Sequence, residues 1–198
     1  MTSRRDLTTS RSTTGRGYAR FIAAAIVASL LGACAALPDD APVVEQLDSE
    51  TGTTVTRLGH PIEVYRETFV QMPTGRFAFI APFETNLMGK RELFVWVAVP
   101  VEPVADSVPT VEVNGSVLNL GTPGRSADFA TLHTSPYKIP TPWSAMYYFK
   151  VDEPIVTQLS QATNITIRVL EVGKAGTIKT LFAVKIENDT RLKDFAAR

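Results

Sequence analysis

Residues 53–198 predict an all-β domain, an antiparallel β-sandwich with one short helix near 153–162. Three observations carry that expectation. Short runs rich in aromatic and β-branched residues recur between Gly, Pro and Asn punctuation, with turn signals every 8 to 15 residues. Asn114-Gly115 sits between two alternating runs, 111–113 and 116–120, and supplies two residues that tolerate the positive φ of a two-residue hairpin. No strand–helix–strand alternation is present, so a parallel sheet is not indicated.

The 146 residues of that domain follow a leader of different composition. Of 20 Lys+Arg and 20 Asp+Glu, the first 34 residues hold Arg4, Arg5, Arg11, Arg16 and Arg20 against Asp6 alone, leaving 15 basic and 19 acidic residues beyond. The neutral total is thus a basic leader joined to a mildly acidic body. A net-acidic body lacks the basic face that phosphates require, which argues against nucleic acid as a partner. Arg16 and Arg20 precede an apolar run, 21–37, stopped by Pro38-Asp39-Asp40. A positive segment before an apolar one is the pattern of a secretory signal. As a helix, residues 21–33 span ~20 Å, short of the ~30 Å hydrocarbon core. Carried through Leu37 the run reaches 17 residues, the lower edge of a membrane span, so an uncleaved anchor on a structural subunit is the competing reading.

Leu31-Gly32-Ala33-Cys34 closes the apolar run, and Cys34 is the one cysteine of the chain. This tetrad resembles the lipobox of bacterial lipoproteins, in which small residues let a protease take the extended backbone and a cysteine supplies the thiol that is acylated. The resemblance covers only the leader. It implies a diacylglyceryl thioether on Cys34, cleavage between Ala33 and Cys34, an acylated new N-terminus carrying a palmitate-type chain, and a membrane partner reached through lipid. It divides the chain into a signal peptide, 1–33, an acylated cysteine and flexible tether, 34–52, and the β domain, 53–198. Ala35 and Ala36 follow the cysteine where an Asp would favour inner-membrane retention, so in a Gram-negative cell the implied site is the outer membrane facing the periplasm. Ser3-Arg4-Arg5-Asp6-Leu7 is similar to a twin-arginine signal, but its apolar segment begins only at Phe21.

Within the body, 35–52 is rich in Pro, Asp and Glu without periodicity and reads as the tether, with a first strand around Val43-Val44 as the alternative. Residues 53–58 and 62–68 alternate around Gly59-His60-Pro61, which has the punctuation of a turn. Residues 76–81 (RFAFIA) and 92–99 (ELFVWVAV) follow. The second is apolar on both faces, with Leu93, Val95 and Val97 on one and Phe94 and Trp96 on the other, as in the middle of a packed sheet. Residues 121–141 form the longest irregular stretch, and such loops tend to be functional or mobile. A strand at 145–151 leads to a helix with Asp152 as N-cap and Pro154 near its first position, where Ile155, Val156, Leu159 and Ala162 share a face. Strands at 164–170 and 177–187 flank a Gly173/Gly176 hairpin, and 190–198 adds a turn or two of helix. An immunoglobulin-like or transthyretin-like arrangement accommodates these elements, and a closed barrel is the rival.

No catalytic set stands out. A lone cysteine excludes an internal disulfide and any cysteine-only metal site, and neither paired metal motifs nor a glycine-rich phosphate loop is present, so no metal or cofactor is expected. His60 and His133 are the two histidines. His133 with Asp128 and a serine, or a pair drawn from the many carboxylates, would serve an envelope-tethered hydrolase, but no nucleophile motif accompanies them. Asp152-Glu153 is explained by helix capping. Among aromatic residues, Tyr137, Trp143 and Tyr148 are the candidate partner or ligand contacts, and Tyr147 and Phe149 fall on the face opposite Tyr148. Asn164-Ile165-Thr166 and Asn188-Asp189-Thr190 match glycosylation acceptors but read as strand and cap residues. The expectation is a non-enzymatic, lipid-anchored envelope lipoprotein whose sandwich binds another envelope component, protein or glycan.

Overall fold

The computed structural model describes residues 41–66, 77–138, 144–173, 176–187 and 189–198. Their strands are β1 (Val43–Asp48), β2 (Thr53–Leu58), β3 (Ile62–Arg66), β4 (Phe77–Leu87), β5 (Lys90–Val99), β6 (Thr110–Val113), β7 (Ser116–Val117), β8 (Ala145–Val151), β9 (Asn164–Gly173) and β10 (Gly176–Lys185). Two helices, α1 (Glu153–Ser160) and α2 (Arg191–Ala196), complete the regular elements. Every strand pair is antiparallel, in the order β1-β2-β4-β3-β10-β9-β6-β7, with β5 on the other edge of β4 and β8 beyond it. The chain is therefore an all-β, sandwich-like fold. One layer is β1-β2-β4-β5-β8, the other β3-β10-β9-β6-β7, and one hydrophobic core runs through both. The order leaves β1 and β7 as edges, so the barrel alternative does not hold among the described residues.

The β2–β3 line of chain serves both layers, and the β3–β4 ladder joins them. Gly59-His60-Pro61 does not reverse direction as its composition suggested, because β2 and β3 both run antiparallel to β4. Arg57 lies opposite Phe83 and Ile62 opposite Ile80, so five steps on one strand match three on the other. The turn signal is a two-residue bulge, which bends the strand and turns its outer edge from β1 to β10. At this point β4 carries Pro82, which has no N–H to give Leu58 across the ladder. Side chains replace both missing bonds. The Leu58 N–H donates to the Tyr137 hydroxyl at 3.1 Å, and that hydroxyl donates to the Pro82 carbonyl at 3.1 Å. The Leu58 carbonyl accepts from Arg57 Nη1 at 3.0 Å, which also reaches the Gly59 carbonyl at 3.0 Å.

β5 is buried on both faces from Phe94 to Val99, as its sequence predicted. One face packs within the sandwich. The other is covered by residues 118–137, whose Leu118, Leu120, Ala130, Leu132 and Tyr137 are all buried. This stretch was expected to be functional or mobile; it is instead a cover, held by a 3-10 turn (Ala127–Ala130) and by Gly124, which exchanges backbone hydrogen bonds with Tyr148. Trp96 packs on Tyr137 and Phe94 on Phe129 beneath it.

Local turns account for the remaining geometry. Asn114 and Gly115 have φ of 51° and 80°, as the Asn-Gly hairpin predicted, and Met88-Gly89 makes the same turn between β4 and β5 with φ of 53° and 87°. Asn114 also ties that hairpin to the next element, its Oδ1 accepting from the Thr163 N–H and hydroxyl at 2.8 Å each. The expected tether is shortened: Val43–Asp48 is β1, paired along its length with β2, so the sheet begins at 43 rather than 53. The lipobox, Leu31, Gly32, Ala33 and Cys34, lies outside the described residues. Replacing Tyr137 by Phe strands the Leu58 N–H and Pro82 C=O in the core, and should lower unfolding free energy by about 2–5 kcal/mol; urea denaturation measures it, and an unchanged midpoint would show the bridge to be dispensable.

Candidate functional site

Register builds a concave surface on one face of the sheet. Glu45, Thr56, Glu84, Leu93 and Val151 lie opposite one another in turn across β1, β2, β4, β5 and β8. Five strands at ~4.8 Å spacing make this row about 19 Å long. Leu47, Thr54, Asn86 and Arg91 form the next row on the same face. Two short helices stand over it. α2 buries Leu192 and Phe195 against the β1/β2 end, and α1 buries Val156 and Leu159 beside α2. Between helices and sheet remains a cleft of about 840 Å³.

Its floor is polar and its charges are arranged in pairs. Arg91 grips Glu84 with two hydrogen bonds, Nε at 2.9 Å and Nη2 at 2.5 Å, a fork geometry that orients both groups. At the rim, Lys90 and Lys150 reach the same oxygen of Glu92 at 2.7 and 2.8 Å. The Lys150 hydrogen bond, then that of Lys90, holds the Glu92 carboxyl below its ordinary value, against a weaker desolvation effect. Asp152, Glu153 and Arg198 close the far end, and exposed Glu45 the near end. Asp152 occupies the N-cap of α1 with Pro154 in the first turn, as predicted, yet its side chain makes no capping bond, and the residue lines the cleft. The pair thus sits at the head of α1 as predicted, with Glu153 the acid of the first turn, but without the side-chain capping bond.

The residues singled out by sequence are placed elsewhere. Tyr137 and Tyr148 are core, not surface contacts: Tyr137 fills the bulge and Tyr148 packs edge-on against Phe83. Burial pushes the pKa of both phenols above the ordinary tyrosine value. Tyr147 and Phe149 stack on the opposite face of β8. Trp143 and Asn188 lie outside the described residues. Asp128 accepts from the Ser126 hydroxyl in its own turn at 3.2 Å. His133 is brought to Asp48 rather than to Asp128, through a backbone N–H at 2.8 Å that holds the Asp48 carboxyl low. His60 turns its carbonyl to Arg191 at the bulge. Among the described residues, no group of three or more His, Cys, Asp or Glu has metal-holding geometry.

Thr56, Glu84, Asn86 and Arg91 were missed by sequence reasoning. One signal would have found part of the set. Treating Met88-Gly89 as a two-residue turn sets Asn86 opposite Arg91 and Glu84 opposite Leu93, and the Glu84–Arg91 diagonal follows. Comparison with protein-family models, curated proteins and solved structures finds no match.

A lowered carboxyl stabilises the fold above its unfolded value and loses that contribution as pH falls through the folded one, so the Glu92 contribution is present in full above pH 4.5 and is lost on the acid side of it. Lys150→Met should raise the Glu92 titration midpoint, with Lys90 retaining part of the depression. Carboxyl-carbon NMR titration reads this, and an unmoved Glu92 would show that Lys150 does not set its charge.

Proposed function

We propose that this chain is a lipid-anchored lipoprotein of the bacterial envelope, held by acyl chains on Cys34, whose β domain binds another envelope component in the cleft beneath α1 and α2. In a Gram-negative cell its place is the periplasmic face of the outer membrane. The cleft carries this reading. A general acid requires a carboxyl whose acidity is weakened by burial or by a like charge. Here Glu84 on the cleft floor is forked to Arg91, an ion pair suited to orienting a ligand, and Glu92 at the strand end is held ionised by two lysines. Thr54, Thr56 and Asn86 add polar groups along the floor, and Leu93, Val151 and Val156 an apolar side.

Two measurements test the two halves of the proposal. Intact mass of the N-terminal peptide from membrane extracts should show a chain beginning at Cys34 with diacylglyceryl added, and Cys34→Ala should abolish both processing and lipid. An unmodified peptide beginning upstream would make 21–37 an uncleaved anchor and remove the outer-membrane placement. A photo-crosslinking residue in place of Thr56, on the cleft floor, should yield a discrete adduct in growing cells that the same residue at Lys179, on the outer face of β10, does not. Identical adduct patterns from the two positions would refute the cleft as the docking site.

A further inference from the structure

Among the described residues β1 pairs with β2 alone, so its other side is a sheet edge. The Gly59 N–H donates to the Pro42 carbonyl at 3.1 Å, which sets the phase of that pairing. Antiparallel bonds alternate, so Val44, Gln46 and Asp48 turn their backbone groups to β2, and Val43, Glu45 and Leu47 turn theirs outward. None of the described residues hydrogen-bonds those outward groups. A row of open N–H and C=O groups is a template for another strand unless something blunts it.

The two faces beside this edge are both hollowed. The cleft opens on the face that carries Glu45. Across the strand, Gln46, Asp48, Glu50, Arg57 and His133 line a smaller recess of about 200 Å³. Successive side chains of a strand point to opposite faces, so a strand laid against β1 would send its residues alternately toward the cleft and the recess. The charge on offer is negative on each side. Glu45 is exposed and forms no ion pair among the described residues, and the Asp48 carboxyl is held ionised chiefly by the His133 N–H. Leu47, 61% exposed, adds an apolar contact at the edge itself.

A second copy of the chain fits this edge poorly. Two β1 strands bonded through their outward groups over their full length place Glu45 against Glu45 of the other copy, with Val43 against Leu47. Like charges directly opposite destabilise a strand pair, whereas opposite charges add to it. We infer that β1 is the docking edge for an extended segment of a partner protein, which joins the sheet as an added strand and sets a Lys or Arg side chain opposite Glu45. This inference rests on the reading of the domain as a binding module and specifies its partner class and mode.

The test uses the full-length protein in detergent and fluorescence anisotropy of a labelled ten-residue peptide of alternating Thr and Lys. A Lys opposite Glu45 stands in a hydrogen-bonded pair, so its backbone N–H faces β1 and those of the Thr residues face away. N-methylation of the Lys residues should weaken binding about tenfold or more, and N-methylation of the Thr residues by less than about twofold. Leu47→Pro, which removes one outward N–H and leaves the β1–β2 ladder intact, should weaken binding comparably, and Glu45→Lys should transfer preference to the peptide of alternating Thr and Glu. Equal loss from the two N-methylated peptides, or wild-type affinity in a folded Leu47→Pro protein, would overturn strand addition and reduce the interaction to charge attraction. Failure of the Thr-Lys peptide to bind would also overturn it. Neither result touches the wider binding reading, which stands or falls on the Thr56 crosslink.

Discussion

The fold turns on a proline that cannot complete its ladder. Pro82 lies in β4 where one antiparallel partner, β2, gives way to another, β3, and the N–H it lacks would otherwise have bonded the Leu58 carbonyl. A buried carbonyl or amide left without a partner costs about 1–3 kcal/mol, and here two such groups of Leu58 and one of Pro82 meet. The Tyr137 hydroxyl acts as donor and acceptor at once, and the Arg57 guanidinium supplies the donors that proline cannot. Arg57 also lies 5.4 Å from the centre of the Tyr137 ring, so the two replacements brace each other. With the defect satisfied, the strand can bulge, and the bulge permits one line of chain to serve both layers.

Everything around the joint follows from that geometry. Because Tyr137 must reach the bulge, residues 118–137 are drawn over the outer face of β5, where Ala130 and Leu132 bury that face a second time. Because β3 departs toward β10, β1 is left with β2 as its one neighbour among the described residues and becomes an edge. On the other side of the joint Arg191 bonds the His60 carbonyl at 3.1 Å and is itself held by a two-pronged pair with Asp189, which fixes the start of α2 over β2. The cleft therefore owes its roof to the bulge as much as its floor does.

How much of this could be read from residues alone depends on the range of the interaction. Signals confined to a few neighbours were legible: the Asn114-Gly115 turn, the two-faced apolar run of β5, the position of Asp152 and Pro154 at the head of α1. Gly59-His60-Pro61 was misread because a bulge and a turn use the same residues, and only the partner strand distinguishes them. The long stretch after Gly121 read as a functional or mobile loop because its buried residues are spaced irregularly; no period of 2 or 3.6 marks a segment that packs without regular hydrogen bonding. The cleft was illegible for a further reason. Its residues come from β1, β2, β4, β5, β8 and both helices, and their convergence is a property of register, not of spacing along the chain.

Placement of the anchor adds a last constraint on what the domain can meet. On the lipoprotein reading, nine peptide steps separate acylated Cys34 from Val43, the first residue of the edge strand. At ~3.4 Å per step they extend no further than about 31 Å. The edge that offers its backbone to a partner is thus also the element most closely leashed to the lipid surface. On that reading a segment that adds to β1 docks close to the membrane, which favours components of the same envelope. Leash length and edge chemistry then act together, the first setting local concentration and the second setting sequence preference.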